Sequence, residues 1–335
     1  MSAHDLSAAD AAERLEGLAR RGLTAYGIGP DATVELLNIS ENATYLVDDP
    51  AGARTVLRVH RRGYHDHPQI SSELAWLDAL RADAGIRTPR VIPSRDGERV
   101  VTLPDDDGSR YAVMFEWLPG VEPPDEHLVD SFEGLGELTA RMHEHTRTWR
   151  RPAGFDRFVW DYKAAFGDAG SGQSGRWGRW QDGIAVGPAE RDILGRLDAA
   201  LRGRLSAFGR GPDRFGLIHA DLRLANLLVH GADTFVIDFD DSGWGWLLYD
   251  LGAALSFIEH DPRVPELVDS WVRGYRRVRA LSAAEEAEIP TFVMMRRMLL
   301  VAWIGSHAGT ELARSMGAEF TAKSCDLAEA YLSGG

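Results

Sequence analysis

The chain has 335 residues, 44% hydrophobic and 26% charged, a globular composition long enough for two substantial cores. Its net charge of −14 argues against broad nucleic-acid binding and favours cationic or neutral partners, while a lone cysteine, Cys325, excludes an internal disulfide and a thiolate metal site. The N-terminus lacks a secretory pattern, and the most apolar late stretch, 292–304, is short for a bilayer and interrupted by Arg296 and Arg297, so a cytoplasmic protein without a membrane partner is expected.

Residues 7–21 predict an amphipathic helix, with Ser7 and Asp10 in a capping-box-like arrangement. Gly27–Ala32 matches the degenerate dinucleotide pattern G-x-G-x-x-A, but a helix precedes it and a β-like run follows, so it is read as a loop. Short β-branched runs at 33–39, 43–47 and 55–59 predict strands, the third carrying Arg58. Pro68 opens a helix with the stripe Ile70, Leu74, Leu77 and Leu80, which Gly85 stops. Glu73 borders that stripe, and strand–helix order makes it the natural carboxylate partner of Arg58. His60, His65 and His67 are read as surface loop rather than a metal site. Strands follow at 90–92, 99–103 and 111–116, and Phe115–Gly120 is an extended stretch closed by Pro-Gly. There the apolar period changes from two to 3.6, which predicts a boundary near 119 between an N-terminal part, 1–119, and a C-terminal part, 120–335.

Leu128, Phe132, Leu135, Leu138 and Met142 predict a helix ending near His145. His143-Glu144-His145 is not read as a metal motif, because adjacent helical positions face different ways and Arg147 spoils H-E-x-x-H. Residues 167–183 are Gly/Ser-rich and carry Trp177 and Trp180, with Trp160 just before them. Two readings stay open: a mobile lid whose aromatic faces hold a cationic acceptor, or tryptophans that anchor this loop to the core.

The most informative stretch is 215–252, FGLIHADLRLANLLVHGADTFVIDFDDSGWGWLLYDLG. His219, Asp221 and Asn226 stand as H-x-D-x-x-x-x-N, and Asp238 follows in I-D-F-D. The apolar runs 227–229 and 234–237 flank His230–Asp233, a loop that predicts a hairpin bringing the Asn226 amide and the Asp238 carboxylate together. Hard oxygen ligands at an open strand end suit Mg²⁺, which keeps other positions for water and phosphates. Asp221, just upstream, suits a carboxylate that orients an attacking hydroxyl, and Arg223 can reach a transferring phosphoryl group. Residues 249–333 predict successive helices, where Glu259 and Asp261 are candidates to face an amine.

These residues resemble the Brenner-type phosphotransferase motif of the aminoglycoside phosphotransferase and choline kinase group. The wording around them is most similar to the bacterial branch of RdoA-type stress-response kinases and type II homoserine kinases. The resemblance spans roughly residues 35–280. It implies an α+β, bilobal protein-kinase-like fold, with an antiparallel N-lobe sheet and one key helix beside a mainly helical C-lobe. It implies ATP and Mg²⁺ as cofactors, Asp221 as catalytic base, Asn226 and Asp238 as metal ligands, and His219 and Asp250 as supports of the catalytic loop. The connection 39–44 would lie over the nucleotide phosphates without a Gly-rich loop, with Ser40 or Asn42 in contact. Arg58 stands where kinases carry lysine, no lysine occurs before Lys163, and Glu73 matches the kinase helix glutamate. Backbone groups of Glu116 and Leu118 would bind a purine. No activation-loop-like segment follows Asp238. Asp240 and Asp241 stand there instead as candidate acceptor contacts, which favours transfer to a small amino alcohol, homoserine-like amino acid or aminoglycoside. A protein Ser/Thr kinase of the stress-response type and a nucleotide-binding pseudokinase scaffold are the alternatives.

Overall fold

In Ala43–Asp48 every second side chain is buried, and this period of two organises the first part of the structure. The computed structural model describes residues 8–39, 42–106, 108–167 and 173–334. They divide into two units, the first comprising 1–120, 151–156 and 228–240, and the second 121–150, 157–227 and 241–335. Ser7, Ser40 and residues 168–172 lie outside the described residues.

The first unit opens with α1 (Ala8–Tyr26), followed by β1 (Thr33–Ile39), β2 (Ala43–Asp48), β3 (Arg54–Val59), α2 (His67–Asp83), β4 (Val91–Ile92), β5 (Val101–Asp105) and β6 (Gly108–Glu116). The strands form one antiparallel sheet in the order β1-β2-β3-β6-β4, with β5 also on β6. Leu18, Ala19 and Leu23 of α1 join Tyr45, Val47, Leu57 and Leu103 in its core. Asp66 and Gln69 cap α2 reciprocally, Pro68 sits in the first turn, and Ile70, Leu74, Leu77 and Leu80 are buried as the stripe predicts.

The chain continues with α3 (Leu128–Thr148), β7 (Val159–Trp160), α4 (Tyr162–Phe166), α5 (Pro188–Phe208), β8 (Phe215–Ile218), β9 (Leu227–His230), β10 (Asp233–Val236), β11 (Gly243–Trp246), α6 (Tyr249–Ala254), α7 (Val264–Arg276), α8 (Ala283–Glu286), α9 (Ile289–Ser306) and α10 (Glu311–Ser333), the last broken at Gly317. β9 and β10 pair as the 227–237 pattern predicts. The sequence reading did not anticipate α5 or the small sheet β7-β11-β8, whose strands of two to four residues are too short to leave a periodic signal. With its preceding turn, α9 is long and apolar enough to cross a membrane, but it is mostly buried inside the second unit as a core helix. It crosses α6 closely: a Cβ on Gly252 would lie 2.5 Å from the Phe292 carbonyl oxygen. That approach brings the side chains of α6 and α9 to the loop after β8.

Candidate active site

The loop after β8 is held by two buried groups that the motif does not contain. Ala220 adopts φ 68°, a left-handed conformation that costs a non-glycine residue energy and persists only where the surroundings enforce it. Asp250, at the start of α6, provides one hold, accepting from the Ala220 N–H at 2.7 Å and the His219 N–H at 3.2 Å. Asp250 is itself bonded by His143 Nε2 at 3.0 Å, and His143 Nδ1 meets the Tyr275 hydroxyl at 2.9 Å. Arg296 of α9 provides the other. It donates to the Ala220 carbonyl at 3.3 Å and to Asp221 Oδ1 at 2.5 Å. The bracing predicted for Asp250 therefore has a geometric basis, with His219 adding its Nδ1 as acceptor for the Asp221 N–H.

Asp221 is thus engaged on both oxygens. Oδ1 takes Arg296, while Oδ2 accepts from Asn226 Nδ2 at 2.9 Å and lies 3.4 Å from Arg223 Nε. Asn226 Nδ2 also donates to the Asp221 carbonyl at 2.8 Å. With its nitrogen so committed, the amide of Asn226 turns its Oδ1 the other way, the orientation a hard cation requires of this side chain. Burial pushes the Tyr249 hydroxyl up to about 12, so it stays protonated 3.2 Å from Arg296. Burial alone would lower Arg296, but Tyr249 and Asp221 beside it raise it above its ordinary value.

In the first unit, Arg58 of β3 meets Glu73 of α2 at 2.7 Å, the pairing expected from strand–helix order. Both side chains are buried, and the Arg58 guanidinium lies over the Phe115 ring at 5.1 Å. Burial opposes its charge, yet Glu73, Asp240 and Asp238 together raise it above the usual arginine value. Asp238, 4.0 Å from Arg58, adopts φ 63°, a second left-handed non-glycine residue. Asn42 donates to Asp240 at 2.6 Å and accepts from the Arg61 N–H at 3.2 Å, so its amide is turned inward. Of the predicted purine contacts, the Glu116 N–H already donates to the Arg90 carbonyl at 2.9 Å, and Leu118 is buried.

Several expectations are revised by the packing. Trp160, Trp177 and Trp180 are buried. Trp160 donates to the Asp241 carbonyl at 2.7 Å, and the Trp177 ring covers Arg296 at 4.9 Å. Of the two readings of these tryptophans, anchoring is the arrangement observed, with arginines on the faces of Trp160 and Trp177. Asp240 is turned to Asn42 in the first unit, whereas buried Asp241 belongs to the second. Glu259 and Asp261 do not await an amine, because Arg297 and Arg263 pair with them. His60 and His65 are not surface residues: they are buried, their rings 6.5 Å apart edge to face. Among the described residues no group of three His, Cys, Asp or Glu side chains forms a metal cluster. A shallow opening of about 580 Å³ between α1 and β5, lined by Arg14, Arg21 and Asp105, contains none of the predicted residues.

Sequence reasoning missed Arg296 and passed over His143. The signal for the first was present: an arginine inside an apolar helical run must find a buried acceptor, and here it finds Asp221.

Comparison with known proteins bears on this arrangement. A family model described as a phosphotransferase enzyme family matches residues 33–286. The chain belongs to that family. It is 50% identical to a microcompartment-associated aminopropanol kinase of known structure, with a TM-score of 0.87 and 95% of this chain and 98% of the other covered. Amicoumacin kinase of Bacillus subtilis (strain 168) is 26% identical over 290 residues, 82% of this chain and 80% of that one. A homoserine kinase of Gluconacetobacter diazotrophicus is 27% identical over 316 residues, 89% and 90% of the two. The family resemblance seen in the motif is therefore correct, as is the kinase-like α+β fold. This phosphotransferase is a small-molecule kinase that phosphorylates a hydroxyl group.

Proposed function

We propose that the acceptor is a short amino alcohol. The observation that carries this reading is the 50% identity, over 95% of the chain, to an aminopropanol kinase. In this reading Asp221 orients the acceptor hydroxyl and takes its proton. Asn226 Oδ1 and the Asp238 carboxylate would hold a divalent cation, magnesium in the cell. Both are hard oxygen donors, and the internal bonds of the Asn226 nitrogen favour that presentation. Such a cation would offset charge on the phosphates.

Arg58 binds phosphate oxygens while Glu73 fixes its guanidinium, a fork that suits paired oxygens. Arg223 offsets the charge that develops on the transferred group. The purine contacts fall to the Glu116 carbonyl and the Leu118 backbone, and the backbone at Asn42 faces the phosphates. The division of labour proposed is nucleotide binding by 1–119 and acceptor binding and catalysis by 120–335. The acidic charge and single cysteine accord with a cytoplasmic enzyme acting without nucleic acid or membrane.

The test follows label from γ-labelled ATP with Mg²⁺ into a panel of short amino alcohols, homoserine, aminoglycosides and a generic protein substrate. Label on the amino alcohols, abolished by Asp221→Asn, is the expected result. Label only on protein would replace this reading with the stress-response kinase one, and ATP binding without transfer to any acceptor would favour the scaffold.

A further inference from the structure

We propose that Arg296 is a positioning residue for phosphoryl transfer, gripping the Asp221 carboxylate and fixing its plane toward the acceptor. This rests on the reading that Asp221 faces the acceptor hydroxyl.

Arg296 lies on a helix of low polarity, 75 residues from Asp221 in sequence, and its side chain is 3% exposed. A guanidinium so buried costs several kcal/mol unless its donors are met. All three of its nitrogens have partners. Nε donates to Ser256 Oγ at 2.8 Å, one terminal nitrogen to the Tyr249 hydroxyl at 3.2 Å and the Ala220 carbonyl at 3.3 Å, and the other to Asp221 Oδ1 at 2.5 Å. The Trp177 and Tyr249 rings cover it at 4.9 and 5.9 Å. A planar fork fixed at every edge has no freedom to follow Asp221. Asp221 must instead conform to the fork.

Two consequences follow from the bonding. Arg296 holds the left-handed Ala220 through its carbonyl while Asp250 holds it through its N–H, so α9 and α6 set the backbone of the residue preceding Asp221 from opposite sides. The grip on Oδ1, together with the bonds that Oδ2 accepts from Asn226 and Arg223, fixes the plane of the carboxylate that meets the hydroxyl. Misplacement of such a group by about 1 Å typically costs on the order of 10²-fold in rate. The tryptophan-bearing segment before the loop then serves the reaction indirectly, by covering Arg296.

The test is a double-mutant cycle of Arg296→Met and Asp221→Asn, with Arg296→Lys and Ser256→Ala as further variants. Each is assayed for kcat with the amino alcohol, KM for ATP and melting temperature. Arg296→Met is expected to lower kcat by roughly 10²-fold with KM for ATP changed less than about threefold, and to have little further effect on kcat in the Asp221→Asn background. Arg296→Lys should recover at least tenfold of that loss. Should Arg296→Met prove unfolded, Ser256→Ala, which frees one edge of the fork without touching Asp221, carries the cycle: it should lower kcat in the parent but not in Asp221→Asn. Equal fold-losses in the two backgrounds, or an unchanged kcat, would reduce Arg296 to a structural residue and overturn the proposal. Full turnover by Asp221→Asn alone would instead remove the reading of Asp221, and the proposal with it.

Discussion

The buried pair of Arg58 and Glu73 makes the sharpest claim about why two charges lie inside the first unit. Glu73 is 1% exposed; its Oε1 accepts from Arg58, and no hydrogen-bond partner is present for Oε2 among the described residues. Glu73→Gln keeps the shape and removes the charge. Breaking one side of a buried pair costs about 3–5 kcal/mol. Asp238, 4.0 Å from Arg58, still compensates part of the guanidinium charge, which places the cost near the lower end, about 3 kcal/mol. That lowers the melting temperature by roughly 6–10 °C. The loss of orientation should raise KM for ATP by about tenfold, the effect of some 1.4 kcal/mol. Replacing both residues, as Arg58→Met with Glu73→Leu, should restore stability to within about 1 kcal/mol, because apolar groups of similar volume fill the site without a desolvation cost. Turnover should nevertheless be lost, because the double variant lacks the Arg58 guanidinium that binds the phosphates. Thermal unfolding followed by circular dichroism, beside steady-state kinetics in ATP, reads both quantities. A single variant with parental melting temperature and parental KM for ATP would refute the reasoning. A double variant with normal turnover would show that the phosphates are not positioned through Arg58.

Other outcomes are as definite. Asp221→Asn should leave Mg-ATP binding within about threefold of the parent and cut kcat by more than about 10²-fold, as for loss of a general base. Asp238→Asn should weaken nucleotide binding only when Mg²⁺ is present, so equal affinities in titrations with and without the metal would remove it as a ligand. Gly252→Ala places a Cβ 2.5 Å from the Phe292 carbonyl oxygen and should cost about 1–3 kcal/mol in urea unfolding, with a fall in kcat because α6 carries Asp250 and Tyr249. Asp105 gives a pH signature. Burial pushes its carboxyl up, but the Arg14 and Arg110 guanidiniums outweigh this and hold it at about 2, below the unfolded value. Its contribution is therefore complete above pH of about 4 and lost as the pH falls toward 2. Asp105→Asn should be less stable than the parent by roughly 1–2 kcal/mol at pH 7 and at pH 5, after allowance for solvent screening. The gap should narrow below pH 4; a constant gap down to pH 3 would contradict the assignment.

What the sequence alone determined is what local chemistry carries. The alternation in 43–48, the capped stripe of α2 and the H-x-D-x-x-x-x-N spacing depend on residues a few positions apart, so strands, helix and motif were readable in order. The pairing of Arg58 with Glu73 was readable too, because strand–helix order across 15 residues leaves few alternatives. Tertiary structure decided everything that depends on which faces meet. Whether Trp160 and Trp177 line a lid or anchor a core is a matter of burial, and composition is the same in both cases. Asn42 carries a phosphate-binding side chain by type, but its contact with Asp240, 198 residues away, turns it inward. Arg296 could be recognised in sequence only as a charge out of place. Its partner was chosen by the close crossing of α6 and α9 at Gly252, where the absence of a side chain lets the Arg296 guanidinium reach the Asp221 carboxylate.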